Sequence, residues 1–495
     1  MDWAVFPLHV IAKPFRGLPG VLPIGLDSAN PRLRVHRSLW TVVGQRAPQD
    51  AFLAGPIVQH AESRNVTLRS YQIEAVNFLL NRRSAILADT MRLGKTITAV
   101  ACWQKRDRLL VLAPLVTRKV WIDWLQKFHG ITPYVCMGRT IDRRAVKNAQ
   151  AIFCHYDVAF DWKDIPGKFE QIVFDEAHLI AHAKSKRARA AAWMGVGADR
   201  KIALTGTPLW NAPAQFWSIA HAIAPGAFGG KGQFELRYAN PFDLRSLVGQ
   251  KRGTSNMEEF RVRMQDFMLR REWKDVLVDV PQMSFGSLYA DVDLATHVKL
   301  QAIFETVEPM IARLAKARKQ LSTYKVKTVV SKLKFTQEPT VVWVWHRQTG
   351  AKIAKALKVP YLSGNVSQSE REKILETWQE NPTHLVASMP VAQAGIDLSA
   401  ARHALFAELD YTPAVMSQAM MRTFSPAKPN TVTFVIADHP IERFLVEVVE
   451  GKFQRSLEMG LPTSEFALET LFTEDPYASV ASVVTNLQKE IGCET

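Results

Sequence analysis

Cysteine is scarce in this chain of 495 residues, and the four that occur, at positions 102, 136, 154 and 493, form no CxxC pair. Their scatter argues against a zinc module or a disulfide framework and is typical of a reducing cytosol. Long apolar runs are missing as well, since no stretch approaches the roughly 18–20 residues that cross a bilayer. The N-terminal apolar run is too short for a signal peptide. We therefore expect a soluble cytoplasmic protein, with nucleoid or nuclear association left open, that has no membrane partner and no structural metal.

Acidic residues are few relative to basic ones. The sequence holds 62 lysines and arginines against 47 aspartates and glutamates, which gives a formal net charge of +15. A surface that basic favours a polyanionic partner. Nucleic acid is the partner that we favour from the charge. The alternatives are an anionic membrane surface and a charge that serves solubility alone.

Short apolar runs alternate with amphipathic helical stretches over most of the chain. Residues 1 to about 60 are rich in Pro and Gly and carry no recognisable motif. Beyond them the alternation predicts parallel sheets with helices on both faces. The predicted strands are 84–89, 108–114, 149–156, 171–175 and 201–205, then 340–345, 383–389, 403–409 and 431–437. From about 212 to 280, polar helical segments interrupt the pattern. The simplest interpretation is two α/β units in tandem.

The strand SAILAD leads into TMRLGKT and then into the helical segment ITAVACW. A GKT between a buried strand and a helix is typical of a phosphate-binding loop. We expect Lys95 to reach the β- and γ-phosphates of ATP and Thr96 to hold Mg²⁺. Asp89 stands where the GxxxxGK[ST] pattern has its first glycine. The motif is therefore weak by itself and needs support from elsewhere in the chain.

That support comes from QIVFDEAHLI, an apolar strand that ends in DEAH about 80 residues after the GKT. Carboxylates at a strand tip can hold the metal and polarise the attacking water, and we assign these roles to Asp175 and Glu176. In isolation a DEAH is often only a helix cap. In this order after a GKT, it predicts an ATPase site that uses ATP and Mg²⁺.

Further segments follow in a recognisable order. They are LRSYQIEAVNFLL, VLAPLVTRKVWIDWLQKF, FCHYDV, KIALTGTPLWN, DFMLRREWKDVLVDVP, VVWVWHRQTG, SMPVAQAGIDLSAA and LDYTPAVMSQAMMR. The series resembles the Swi/Snf-type branch of helicase superfamily 2 over roughly residues 65 to 440, and the FMLRR–KDV segment is especially typical of that branch. LTGTPLWNAPAQFWSIAHAIAPGAF and FELRYAN resemble the annealing-helicase subgroup, which acts on forks and other branched DNA. The resemblance implies two tandem RecA-like domains.

The resemblance also implies roles for single residues. Gln72 would read the adenine ring, since an amide can donate and accept at once. Thr205 and Thr207 would relay the nucleotide state to the DNA groove. The implied catalytic residues are Lys95, Glu176 and Arg422. The implied nucleotide contacts are Gln72, Asp89, Thr90, Gly94, Lys95 and Thr96 from the first domain, and Gly395, Asp397, Gln418 and Arg422 from the second. The alternatives are a surface position for Gln72 and an ion pair for Arg422.

The chain departs from the family pattern in three respects. Thr90 and Arg92 replace the acidic residue and the glycine that relatives have in the phosphate loop. Relatives also have two arginines three residues apart in the last motif, whereas here Arg422 is followed by Ser425. Arg92 and Lys428 are candidates for a substitute cation. The helical insertions of chromatin remodellers are minimal and no bromo-, chromo- or zinc-binding module is visible, which argues against nucleosome remodelling.

Two basic stretches are candidates for nucleic-acid contacts. The first follows the DEAH and contains Lys184, Lys186, Arg187 and Arg189, and the second runs from residue 313 to 334. Phosphate contacts from such residues supply affinity without sequence specificity. The alternative for both stretches is a solvated helix face.

These observations together predict a DNA-dependent ATPase, a monomeric motor that steps along double-stranded or branched DNA. The predicted domains are an N-terminal accessory region (1–60), a first RecA-like lobe with a short helical insertion (61–283), a second RecA-like lobe (284–470) and a C-terminal tail (471–495). Two alternatives stay open. One is an RNA-directed or polymerase-recycling ATPase of the same superfamily, and the other is a DNA-binding module with a degenerate ATPase.

Overall fold

The computed structural model describes residues 3–7, 21–24, 32–36, 52–136, 138, 140, 142–162, 165, 168–206, 213–238, 256–265, 267–276, 283–304, 306, 310–392, 396–410, 413–425, 429–439, 441–442 and 445–446. The chain divides into two compact units between residues 278 and 279. A bilayer could not be crossed by any helix in these ranges, because none is both long and apolar enough.

The N-terminal region contributes a small antiparallel sheet. Its strands are β1 (Trp3–Pro7), β2 (Val21–Ile24) and β3 (Arg32–His36), with β3 in the centre. The sequence predicts no regular element in residues 1 to about 60, so these three strands are found only in the structure.

The main sheet of the first unit has seven strands, and all of its pairs are parallel. The strand order is β10-β4-β9-β8-β5-β7-β6. The strands are β4 (Ser84–Leu87), β5 (Leu109–Ala113), β6 (Tyr134–Cys136), β7 (Ala151–His155), β8 (Gln171–Phe174), β9 (Arg200–Leu204) and β10 (Met268–Leu269). The five strands predicted for this unit are confirmed, and β6 and β10 are additional.

Helices cover both faces of this sheet. The helices that precede the insertion are α1 (Gly55–Ser63), α2 (Ser70–Leu80), α3 (Lys95–Ala101), α4 (Arg118–His129), α5 (Arg143–Asn148), α6 (Tyr156–Ala159) and α7 (Lys186–Met194). In β5, Leu109 and Val111 join a core cluster with residues of α1 to α4. Leu110 and Leu112 point to the opposite face and are also fully buried. A strand that is buried on both sides explains the continuous apolar run in the sequence.

The interruption after β9 is a helical insertion that lies between two strands of the same sheet. It contains α8 (Pro213–Ile223), α9 (Lys231–Tyr238) and α10 (Met257–Gln265), and β10 is followed by α11 (Trp273–Val276). The insertion has an aromatic core of its own, in which Phe216 packs edge-on against Phe228 and Phe260. The buried guanidinium of Arg263 donates to the Tyr238 hydroxyl at 2.7 Å. Aromatic packing of this kind needs no strand, so the α/β alternation stops.

The second unit has a six-stranded parallel sheet in the order β11-β16-β15-β12-β14-β13. The strands are β11 (Met283–Ala290), β12 (Thr340–Val344), β13 (Tyr361–Leu362), β14 (Leu385–Ser388), β15 (His403–Phe406) and β16 (Asn430–Ala437). The helices are α12 (Leu294–Phe304), α13 (Met310–Lys334), α14 (Arg347–Leu357), α15 (Gln368–Glu380), α16 (Met389–Ala392) and α17 (Pro413–Thr423). The four predicted strands are confirmed, as is the predicted fold class of two tandem α/β units.

Candidate nucleotide-binding site

Three of the predicted segments leave neighbouring strands at one edge of the first sheet. The phosphate loop follows β4, Thr205 and Gly206 follow β9, and the DEAH follows β8, while β9 lies between the other two strands. Because the carboxyl ends of parallel strands meet at the same edge of a sheet, the three segments converge there. The edge is the usual place for a ligand in an α/β sheet.

Two glycines allow the close approach of these segments. Gly94 precedes α3 with a φ of +84°, and a Cβ at this position would collide with the Gln72 amide. Gly206 lies against the phosphate loop, so that its Cβ would come 3.0 Å from Met91 Cγ and 3.7 Å from Lys95 Nζ. The segment after β9 therefore touches the loop at the lysine that sequence analysis assigns to the phosphates.

The loop closes around the ammonium group of Lys95. Lys95 Nζ donates to the carbonyls of Asp89, at 2.7 Å, and Thr90, at 3.2 Å. The backbone N–H of Thr90 donates to Arg271 O at 3.0 Å, while the buried Thr90 hydroxyl has no partner among the described residues. Thr96 lies half-buried in the first turn of α3. The Thr90 hydroxyl is buried without a partner in the described ranges, which costs free energy, and a hydrogen bond to a ligand oxygen would satisfy it.

Asp89 directs its carboxylate away from the lysine. Its two oxygens accept from Arg271 Nε at 3.2 Å and from an Arg271 terminal nitrogen at 2.6 Å. The pair is almost fully buried, with 3% of the Asp89 side chain and 10% of the Arg271 side chain exposed. The nucleotide contact predicted for Asp89 stays a prediction, and the Asp89 carboxylate is already bound by Arg271.

Gln72 lies directly beside the loop. Its Nε2 donates to Leu93 O at 3.1 Å, and its Oε1 accepts from Arg69 N at 3.0 Å as part of the box that caps α2. The surface position that was the alternative for Gln72 is excluded, since the residue is buried. An amide has two hydrogens and two lone pairs. One hydrogen and one lone pair of the Gln72 amide are therefore left for hydrogen bonds with a base.

The two carboxylates of the DEAH are held in different ways. Asp175 is buried, and Glu176 follows it in the left-handed region with a φ of +47°, which is uncommon outside glycine. Burial, and then the neighbouring Glu176 charge, raise the pKa of Asp175 to about 6, against the opposing effects of Trp121 and Lys95. Glu176 Oε2 is buried without a hydrogen-bond partner in the described part of the chain. Burial and the Lys95 charge lower the pKa of His178 to about 3, so this neighbour is neutral and is no counter-ion for Glu176.

Two aromatic side chains fix Asp175. Trp121 of α4, fully buried, donates its indole N–H to Asp175 Oδ2 at 2.8 Å. The Tyr156 hydroxyl donates to Asp175 O at 2.8 Å, and the backbone N–H of Glu176 donates to Asp175 Oδ1 at 3.0 Å. The sequence alone predicts a role at this site for neither Trp121 nor Tyr156. The signal that could have identified Trp121 is a tryptophan in the helix that follows a buried strand, since a buried indole N–H needs an acceptor.

The residues at this edge fit a magnesium ion that is shared with phosphates. They offer the hydroxyl of Thr96 and the carboxylate of Asp175, both of them the oxygen donors that Mg²⁺ prefers. No group of three or more His, Cys, Asp or Glu side chains that could hold a metal is found in the described ranges. An ion here would take its remaining ligands from phosphate and water, as Mg²⁺ usually does.

The residues predicted in the second unit lie around the ends of α16 and α17. Arg422 Nε donates to Ala392 O at 2.7 Å. Gln418 is buried, and neither end of its amide has a partner among the residues that the structure describes. Asp397 is exposed and accepts from the Ser399 N–H at 2.9 Å and the Ser399 hydroxyl at 2.7 Å. Gly395, Thr207 and Lys428 lie outside the described residues.

Ser425 follows the end of α17. Its backbone N–H donates to Asn430 Oδ1 and its carbonyl accepts from Asn430 Nδ2, both at 2.9 Å. Asn430, the first residue of β16, thus holds the backbone of the position at which the family pattern has a second arginine.

The first basic stretch divides between exposed and paired residues. Arg187 pairs with Asp157, through a guanidinium nitrogen 2.5 Å from Oδ1. Lys186 and Arg189 both approach the ring of Phe160, at 6.0 Å and 5.3 Å from its centroid. Lys184 is exposed. Their contacts with nucleic acid stay predictions.

In the second basic stretch, two residues are structural, which corrects the prediction for them. Lys325 of α13 is fully buried and donates to Val435 O at 2.8 Å and Glu442 Oε2 at 2.5 Å. Arg318 is buried and donates to the carbonyl of Leu409. The stretch is therefore neither a uniform DNA contact nor a uniform solvated face, because Lys325 binds β16 and Arg318 binds the segment that follows β15.

Family comparisons agree with the site. Residues 71–302 match the model of the SNF2-related domain, and residues 324–426 match the helicase conserved C-terminal domain. The chain therefore contains an SNF2-related domain followed by a helicase conserved C-terminal domain. The first match contains Gln72, the phosphate loop and the DEAH, and the second contains Gln418 and Arg422. The predicted membership of the Swi/Snf-type branch is confirmed.

Two relatives are named annealing or chromatin proteins. The chain is 26% identical over 455 residues to a Xenopus laevis SWI/SNF-related matrix-associated actin-dependent regulator of chromatin subfamily A-like protein 1, covering 84% of this chain and 47% of that protein. It is 25% identical over 430 residues to the human DNA annealing helicase and endonuclease ZRANB3, covering 78% and 40%. The SNF2-related chain thus spans less than half the length of both. The Sulfolobus solfataricus SWI2/SNF2 ATPase core in complex with dsDNA aligns at 22% identity with a TM-score of 0.41, over 87% of this chain and 98% of that one.

Proposed function

We propose that the SNF2-related chain is an ATP-dependent motor that moves along double-stranded or branched DNA. The observation that supports this most directly is the convergence of Lys95, Asp175 and Glu176 at one edge of the first sheet, inside a match to the SNF2-related domain. Branched DNA is the substrate that we favour, because relatives at 25% identity carry the name annealing helicase.

In the proposed mechanism each residue has a distinct task. Lys95, now held by two loop carbonyls, exchanges them for the β- and γ-phosphates of ATP. Asp175 and Thr96 would hold Mg²⁺, which supplies positive charge to the phosphates. Glu176, whose Oε2 is buried without a hydrogen-bond partner in the described residues and lies 3.4 Å from His178 Nδ1, orients the attacking water. Gly206 lies close enough to Lys95 Nζ for the segment after β9 to respond to the nucleotide.

A panel of nucleic acids tests the function. We expect ATP hydrolysis by the purified chain to rise most with duplex or forked DNA, less with single-stranded DNA and least with RNA. Binding should be nearly indifferent to sequence and should weaken steeply with salt, with a slope of log K against log salt of about −0.9 per phosphate contacted. A preference for single-stranded RNA would favour the RNA-directed alternative. DNA binding without any turnover would favour the degenerate module.

Replacing Trp121 by phenylalanine should raise the Mg²⁺ requirement of the site. The variant keeps a large aromatic ring in the core but removes the N–H that orients Asp175 Oδ2. Loss of a partner that orients a metal ligand typically costs about 10–100-fold in metal affinity. We expect about a tenfold higher Mg²⁺ concentration at half-saturation, measured by Mg²⁺-dependent binding of a fluorescent ATP analogue.

Trp103→Phe is the matched control for this prediction. Trp103 is also buried, and its indole N–H donates to Asp107 O at 3.1 Å. Its removal should leave the Mg²⁺ titration unchanged. Equal Mg²⁺ half-saturation in Trp121→Phe and the wild type would show that Trp121 is only a packing residue.

A further inference from the structure

The backbone of the phosphate loop is hydrogen-bonded to the end of the FMLRR segment, residues 267–271. This segment is typical of the Swi/Snf-type branch, but the sequence alone predicts no contact for it. Ala88 N donates to Leu269 O at 2.7 Å, and Thr90 N donates to Arg271 O at 3.0 Å. The ladder between β4 and β10 thus continues into the phosphate loop. The backbone of Arg271 and the loop therefore belong to one rigid piece.

The side chain of Arg271 reaches from this piece to helix α2. One terminal nitrogen donates to Tyr71 O, the residue before Gln72, and lies 3.3 Å from Glu74 Oε2. The guanidinium carbon lies 5.5 Å from the centre of the Tyr71 ring. The other terminal nitrogen and Nε bind Asp89 in the loop. A single planar group consequently bridges the phosphate loop and the helix that presents Gln72.

Beside the apolar packing of α2 against α3, the described residues contain a second hydrogen bond between this helix and the loop, from Gln72 to Leu93 O. That amide is also the group expected to face the base. A side chain that must adapt to a base cannot also fix the spacing of the helix, so the spacing falls to a second contact. Arg271 is suited to this task, because its fork of five donors is pre-organised and two of its partners, Asp89 and Tyr71, are buried.

We propose that Arg271 is a positioning residue that holds α2 at a set distance from the phosphate loop and thereby gives the site its preference for adenine nucleotides. The inference rests on the proposed ATP-dependent function. Asp89 also takes part: the Asp89 carboxylate orients the Arg271 guanidinium, and the Asp89 backbone carbonyl accepts a hydrogen bond from Lys95. Phosphate affinity and base preference then depend on different atoms of the same loop.

Arg271→Lys tests the proposal with least risk to folding. A lysine keeps a positive charge beside the buried Asp89 carboxylate but is a single point donor that cannot also span to Tyr71 O. We expect the dissociation constant of a fluorescent ATP analogue to rise about tenfold and the ratio of ATP to GTP affinity to fall by a similar factor. Affinity for inorganic tripolyphosphate, measured by displacement at the same Mg²⁺ concentration, should stay within about twofold of the wild type.

Asp89→Asn is the second variant, and it carries the test if Arg271→Lys does not fold. It leaves a neutral acceptor opposite the guanidinium, so the same fall in the ATP-to-GTP ratio is expected. Arg237→Lys is the matched control, because Arg237 also binds a carboxylate through two nitrogens, that of Glu259 in the helical insertion, but touches no part of the site. Thermal unfolding of all three variants reports their folding.

The outcomes are distinct. An unchanged ATP-to-GTP ratio in both Arg271→Lys and Asp89→Asn overturns the proposal, while the ATPase function stands. A loss of tripolyphosphate affinity as large as the loss of ATP affinity also overturns it, since Arg271 would then act on the phosphates alone. If the wild-type chain binds no ATP, the proposed function fails and this inference fails with it.

Discussion

ATP turnover is expected to fall by at least about 10²–10³-fold when Lys95 is replaced by alanine, the order of magnitude for one lost contact to the developing charge. The lysine contacts two carbonyls of its own loop, and it lies beside Gly206 and close enough to Asp175 to oppose the rise in that carboxyl's pKa. Removing it deprives the phosphates of their cation. The measurement is phosphate release at saturating ATP and duplex DNA.

The folded state should tolerate this change. Lys95 is half-buried, so water competes for its ammonium group, and the hydrogen bonds that it donates to two backbone carbonyls are expected near the lower end of the range for a charged donor, about 1.5 kcal/mol each. Thermal unfolding and DNA affinity should therefore stay close to the wild type. Lys168→Ala is the control, because Lys168 forms an exposed pair with Asp199 in the same unit. Full turnover by Lys95→Ala would remove the phosphate-loop assignment.

The strands that sequence analysis predicts are those whose physical cause is local. The residues of β5 are apolar because both faces of the strand are covered, and a run of five such residues is visible without any partner. Three of the strands that it misses in the two parallel sheets, β10, β11 and β13, have no such run. Two residues suffice for β10 and for β13, because each pairs with a longer neighbour, β4 and β14. β11 contains two serines and a glycine, and it acquires its conformation from the eight-residue pairing with β16.

The motif residues of the first unit were predictable, but what their side chains touch was not. Gly94, Lys95 and Asp175 are recognised by type and spacing, which the phosphate chemistry dictates. The partner of Asp89 stands 182 positions away, and no local rule connects a loop aspartate with an arginine after a two-residue strand. The same holds for Lys325, which is buried against Glu442, 117 positions later. A charged residue in a helix is expected at the surface until its distant partner is known.

The second large effect is expected at Arg422, where turnover should fall at least about a hundredfold on replacement by alanine. The resemblance assigns Arg422 to the phosphates, and here its Nε donates to Ala392 O. A hydrogen bond from this charged donor is worth about 1.5–3 kcal/mol of folding stability, which the unfolding temperature reports, whereas a hundredfold fall in turnover corresponds to about 2.7 kcal/mol in the activation barrier. A fall of this size in the turnover number, with an unchanged unfolding temperature, would therefore identify an electrostatic role. Arg402→Ala is the control, since Arg402 is an exposed arginine of the same unit.

Ser425→Arg decides whether the missing second arginine has a substitute. A supplied arginine finger is worth roughly 10³–10⁵ in rate, so a site without one should gain markedly from the new side chain. We expect little change, because Lys95, Asp175 and Glu176 are all retained and Arg92 adds a cation in the phosphate loop itself. Arg92 has a φ of +67°, a conformation that is costly outside glycine and that marks strained functional loops. Both contacts of Asn430 are with the backbone of residue 425, so the substitution can keep them.

A marked rise in the DNA-stimulated turnover of Ser425→Arg would mean that no cation replaces the lost arginine and that the wild-type chain is an intrinsically slow motor. Near-normal turnover in Arg422→Ala would instead contradict the finger role that the resemblance implies for Arg422.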